Sequence, residues 1–163
     1  MDERIRKALQ AKIAGTNHPG EMAVHVMYRL QMEYGYLSDQ TLMEAAALLD
    51  MTPLELEEIA TFYDFIYREP VGRYVIHVCD GLVCWMLGEQ RIIDYLSQTL
   101  GIEIGGTTSD KMFTLLPTAC IGFCDHAPSM LINGVHYGSL TPERIDEVLN
   151  KLRTEPREPK ICR

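Results

Sequence analysis

No stretch of this 163-residue sequence stays apolar for the ~20 residues that a membrane-spanning helix needs. Its opening, MDERIRKALQAKIAG, has neither the apolar centre nor the small-residue cleavage site of a secretory signal. A soluble, cytoplasmic protein is the expectation. Positive charge is also scarce: 15 Lys/Arg stand against 23 Asp/Glu, a formal charge of −8, and residues 1–70 carry most of the imbalance with 6 against 12. Phosphate backbones are bound by concentrated positive charge, so no nucleic-acid partner is expected. No G-x-G-x-x-G follows a strand-like run and no P-loop occurs, so nothing in the sequence suggests that this chain holds a nucleotide itself. No nucleophile–base pair stands out, and no repeat is present.

What the sequence does contain is apolar material for a core, at 47% hydrophobic residues. Residues 1–70 read as a bundle of short helices. In HPGEMAVHVMYRLQMEYG, Met22, Val26, Met27, Leu30 and Tyr34 share one face, and Gly35 supplies a stop. A second helix starts at Ser38 as cap and buries Leu42, Ala45, Ala46 and Leu49. A third has Thr52 as cap, Pro53 at its first position and Glu55 completing a capping box, with Met51 and Leu56 placed as a hydrophobic staple. The run LMEAAALLDMTPLELEEIATFY has the look of a helix-turn-helix, but its acidity assigns it to packing. Phe62, Tyr63, Phe65 and Tyr67 are core or interface material.

Residues 71–155 change pattern. RYVIHVC reads as a strand, and a helix follows through Leu87, Ile92, Ile93, Leu96 and Leu100. MFTLLP is a second strand. SMLI and VHYG flank Asn133-Gly134, the signal of a type I′ hairpin, and a last helix opens at Thr141-Pro142 and continues through Ile145, Val148, Leu149 and Leu152. The whole is an α/β layer arrangement preceded by helices, with residues 156–163 as a flexible tail.

Cysteines mark the chemistry. Cys79 and Cys84 form C-x4-C, thirty-five residues intervene, and Cys120 and Cys124 form C-x3-C. Each pair lies just beyond a strand end, so adjacent strands would bring two dithiol loops together. Four thiolates suit an iron–sulfur cluster or a structural zinc. A chain with its own core has less need of a zinc staple, and Gly81 and Gly122 would let backbone N–H groups approach the cluster sulfurs. His77 and His126, each two residues from a cysteine, are the candidate replacements for a thiolate ligand. Cys162, in the charged tail, has no partner in this pattern.

These motifs also carry a resemblance. IATFYDFIYREPVGRYVIHVC, the C-x4-C loop, GGTTSDKMFTLLP, ACIGFCDHAPSMLING and LTPERIDEVL together resemble the NuoE-type subunits of respiratory complex I, the NADH:quinone oxidoreductase, from about Gly35 to Leu152. The resemblance implies a thioredoxin-like [2Fe–2S] domain behind an N-terminal helical bundle, with Cys79, Cys84, Cys120 and Cys124 as ligands. It implies electron transfer within an oxidoreductase assembly rather than catalysis by this chain alone. The implied partners are a NuoF-type subunit holding FMN and the NADH site and a NuoG-type iron–sulfur subunit, with the assembly peripheral to the inner membrane. Related subunits occur in NAD-linked hydrogenases and formate dehydrogenases, and a free-standing ferredoxin shuttle uses the same motif. Gly81, Trp85 and Lys111 stand where the family often carries Ser or Thr, His, and Gly respectively, changes that bear on cluster potential.

Overall fold

Helix starts follow side-chain caps. In the computed structural model, which describes residues 1–154, the Asp2 carboxylate accepts the Arg4 N–H at 2.8 Å and opens α1 (Glu3–Ile13). A short 3-10 turn leads into α2 (Ala23–Tyr34), which ends at Gly35 with φ of 84°. Ser38 caps α3 (Asp39–Leu49) through the Thr41 N–H. Thr52 and Glu55 exchange the two hydrogen bonds of a capping box at the head of α4 (Pro53–Phe62).

The apolar faces of these helices meet in one core of Leu9, Val26, Met27, Leu30, Leu42, Leu49 and Leu56, among others. Met51 packs at its edge, as the staple requires. Tyr34 departs from the expected face: it is exposed, and its hydroxyl accepts the Asp2 N–H at 2.9 Å instead. The inward position one turn earlier belongs to Gln31. Helix α1 was not among the expected elements, because its sparse apolar residues sit in a strongly charged segment.

Gln31 is the polar exception in this core. Its amide donates to the Phe65 carbonyl at 2.8 Å and accepts the Tyr67 N–H at 2.6 Å, pinning the chain that leaves α4. Arg68 fastens the same segment, with Nε 2.8 Å from Glu57, Nη2 2.7 Å from Asp39 and Nη1 donating to the Leu37 carbonyl. Replacing Gln31 with Leu keeps the volume but strands two backbone groups, so Gln31→Leu is expected to destabilise by about 2–3 kcal/mol. Urea unfolding followed by circular dichroism measures this. A loss under about 0.5 kcal/mol would mean that the two groups find other partners.

The chain divides into two compact units, Met1–Pro70 and the residues from Val71 onward. The second is built on four strands in the order β2-β1-β3-β4. Strand β1 (Tyr74–Cys79) runs parallel to β2 (Phe113–Thr118) and antiparallel to β3 (Met130–Ile132). Strand β3 turns at Asn133-Gly134 into β4 (Val135–Tyr137), and both turn residues have positive φ, 47° and 78°. All six residues of β1 are buried, as befits a central strand covered on both faces.

Helices α6 (Glu89–Leu100) and α7 (Pro142–Thr154) supply Ile92, Leu96, Ile145 and Leu149 to the core around Ile76, Phe113 and Leu115. The helix expected after Cys84 is two helices. Gly88, at φ of 93°, separates α5 (Leu82–Met86) from α6, so Leu87 stays exposed rather than joining the core. Lys111 adopts φ of 55°, a backbone state that glycine reaches without strain. The expected tail, 156–163, and Cys162 lie outside the described residues.

Candidate metal centre

Parallel pairing of β1 with β2 aligns their C-terminal ends, Cys79 opposite Thr118, and so places both cysteine segments at one end of the sheet. The Asp80 N–H donates to the Thr118 carbonyl at 2.9 Å and ties the two exits together. Cys79 is the last residue of β1 and is buried. Cys84 is also buried, but it lies inside α5 rather than on the loop expected for it, because the chain turns helical directly after Gly81. Cys120 and Cys124 are exposed in the segment after β2, with Sγ atoms 3.7 Å apart. Two thiolates bound to one tetrahedral metal at ~2.3 Å stand about 3.8 Å apart, so this pair already has the spacing of a chelate.

The two pairs meet. Cys79 interacts with Cys84, and Cys120 interacts with Cys124 and with Cys79. Backbone N–H groups of Ile121 and Gly81 point at the Cys79 sulfur, and that of Gly122 at the Cys120 sulfur. Burial raises the Cys79 pKa above the usual thiol value, opposed by its two N–H donors. Cys120 is lowered, chiefly by the Gly122 N–H and then by the Cys124 thiol, whereas the same pairing raises Cys124. Among the described residues no three His, Cys, Asp or Glu side chains gather as a site for a single ion.

Gly81 has the close approach expected of it: a Cβ there would stand 3.0 Å from the Cys120 Cβ and 3.4 Å from its sulfur. Gly122 does not, since nothing lies within 4 Å of where its Cβ would be. Its φ of 74° is what glycine supplies, turning the N–H toward Cys120. Four thiols, in interacting pairs and served by backbone donors, fit a [2Fe–2S] cluster, whose irons each take two cysteine thiolates. His77 is buried on β1, and the His126 ring lies tilted against Phe123 with centroids 4.6 Å apart and Nε2 3.3 Å from the Asp125 carboxylate.

Two neighbours of the site were not singled out in the sequence. Ser129 is buried with Oγ 3.5 Å from the Cys84 sulfur, and its carbonyl accepts the Cys79 N–H at 3.1 Å. A small polar residue at the edge of the apolar run SMLI was the available signal. Gly138 presses on the Cys124 segment: a Cβ there would stand 2.4 Å from the His126 Cβ. Nothing local in the sequence marks that contact.

Fold and site together define a mixed α/β domain whose cysteine segments converge at the end of a parallel strand pair. The profile of the thioredoxin-like [2Fe-2S] ferredoxin family matches residues 9–153, extending the likeness back into α1. The chain is 41% identical over 132 residues to the E subunit of the NADH-quinone oxidoreductase of Buchnera aphidicola subsp. Acyrthosiphon pisum, covering 81% of this chain and 82% of that one. It is 37% identical over 148 residues to the corresponding E subunit of Escherichia coli K12, covering 91% and 89%. Among solved structures, an air-oxidised NAD+-reducing [NiFe]-hydrogenase superposes with a TM-score of 0.70 at 29% identity over 83% of this chain. That match spans about a quarter of the hydrogenase chain, 23%. The chain belongs to the thioredoxin-like [2Fe–2S] ferredoxin family, in the group of the E subunits of NADH-quinone oxidoreductases.

Proposed function

We propose that this chain is the electron-transfer subunit of an NADH:quinone oxidoreductase, holding one [2Fe–2S] cluster on Cys79, Cys84, Cys120 and Cys124. The observation that carries the reading is the pairing of four thiols beside backbone donors in a chain so similar to the E subunits. When bound, the cluster supplies one-electron steps where nicotinamide and flavin chemistry moves a hydride. The thiolates hold the irons. The N–H groups of Ile121, Gly81 and Gly122 offset negative charge on sulfur, which favours the reduced state. Burial of Cys79 and Cys84 keeps water from one side of the site, while Cys120 and Cys124 form its open side. The chain acts within an assembly and is not catalytic alone. Its partners are a NuoF-type subunit with FMN and the NADH site and a NuoG-type iron–sulfur subunit, and it lies on the cytoplasmic side, peripheral to the inner membrane.

The structural likeness to an NAD+-reducing hydrogenase favours a second reading, the corresponding subunit of such an enzyme. Anaerobic purification of the tagged chain from its native cell tests both. About two irons and two sulfides per chain, an S = 1/2 signal after dithionite and co-purifying flavin are expected. Nickel in the same fraction would turn the assignment to the hydrogenase. Stoichiometric zinc in a colourless protein would overturn both readings.

A further inference from the structure

Ser129 is only 1% exposed, and a hydroxyl so buried needs a hydrogen-bond partner. Among the described residues that partner is the Cys84 sulfur, 3.5 Å from Oγ and just as deeply buried. Between a thiol and a hydroxyl either atom can donate. A cysteine bound to iron is a thiolate with no proton to give, so the direction is then fixed: the Ser129 O–H donates and the Cys84 sulfur accepts.

The backbone of the same residue serves the other buried cysteine, since the Ser129 carbonyl accepts the Cys79 N–H at 3.1 Å. Pairing of Met130 with Val78 holds residue 129 at the end of β1, and from there its side chain reaches a cysteine 45 positions back in the chain. The hydroxyl is therefore placed by the sheet. The donors to the Cys79 and Cys120 sulfurs are backbone N–H groups of Ile121, Gly81 and Gly122, which no side-chain substitution removes. The donor to Cys84 is a side chain, open to removal while the Ser129 carbonyl stays on Cys79.

Resting on the function proposed above, we infer that Ser129 is a positioning residue for electron transfer, acting through the Cys84 thiolate to raise the reduction potential of the site. Reduction adds one electron, breaks no bond and moves no proton, and part of the added negative charge falls on the cysteine sulfurs. A hydroxyl aimed at one of those sulfurs stabilises the reduced state more than the oxidised one. Ser129 thus makes the site a better electron acceptor than its thiolates and backbone donors alone provide.

Dithionite titrations followed by low-temperature EPR, on the iron-loaded full chain and its Ser129→Ala and Ser129→Thr variants, test this. Ser129→Ala is expected to keep iron and sulfide and to take up its electron about tenfold less favourably, a potential lower by about 59 mV for one electron. Ser129→Thr keeps the hydroxyl and is expected to stay near the wild-type potential. The sign separates the hydroxyl from mere packing, because water admitted to a loosened site would solvate the added charge and raise the potential. A potential in Ser129→Ala that is unchanged or raised overturns the inference, as does an equal fall in both variants. Failure of Ser129→Ala to hold iron overturns it too, since the hydroxyl would then serve assembly rather than potential. Each of these leaves the proposed function standing, whereas a wild-type chain that binds no [2Fe–2S] cluster removes both.

Discussion

Cys84→Ala is expected to leave a folded chain without its cluster: iron and sulfide drop from about two each per chain toward zero, and the reduced-state EPR signal disappears. The thiol is buried and has the Ser129 hydroxyl at 3.5 Å, so its loss opens a methyl-sized space and removes a soft ligand that no neighbouring side chain replaces. The backbone elements need not follow. Cys84 lies on a one-turn helix outside the core around Phe113 and Leu149, so circular dichroism of the cluster-free variant should retain the α/β signature. Cys162→Ser is the contrasting case, with full iron and sulfide expected. Two irons retained in Cys84→Ala would show that the ligand set is wrong.

Gly138→Ala is expected to damage the same site without touching a thiol. The added Cβ would meet the His126 Cβ at 2.4 Å, the His126 carbonyl at 2.7 Å and the Phe123 ring at 2.7 Å. Two of those atoms belong to backbone or its first side-chain carbon and cannot swing aside, and the Ser139 N–H already holds the His126 carbonyl at 2.5 Å. The strain falls on residues 123–126, which carry Cys124. Overpacking of this kind costs about 1–3 kcal/mol. A lower melting temperature should accompany a several-fold faster bleaching of the visible cluster absorption in air. Bleaching at the wild-type rate would mean that the 123–126 segment moves as a body without disturbing its cysteine.

Much of the fold was legible because its signals are local. The Ser38 cap, the Thr52–Glu55 box and the two positive-φ residues at Asn133-Gly134 each depend on a few neighbouring residues, and all three appear where expected. The same holds for α7, whose four expected apolar positions are all buried. Periodicity was less dependable near functional surface. It carried Leu87 into a helix that Gly88 breaks, and it counted Tyr34 inward where the apolar face already had enough members. That four cysteines stand as two spaced pairs was readable from the sequence, because it depends on residue type and spacing alone. Their unequal environments were not.

The sequence by itself determined the chemical inventory: four thiols in two pairs, glycines at two of the loops, an acidic helical prefix and the punctuation that starts and stops each element. These are properties of residues and their near neighbours. Only the tertiary structure decided that Cys79 and Cys84 are buried while Cys120 and Cys124 are open, that Ser129 lies against Cys84 and Gly138 against His126, and that Gln31 closes the helical core onto residues 65–67. It also decided that the apolar residues of α5 face outward. Each of these joins or separates positions far apart in the chain. Burial and close contact arise when strands and helices pack, and no local pattern of residues carries that information.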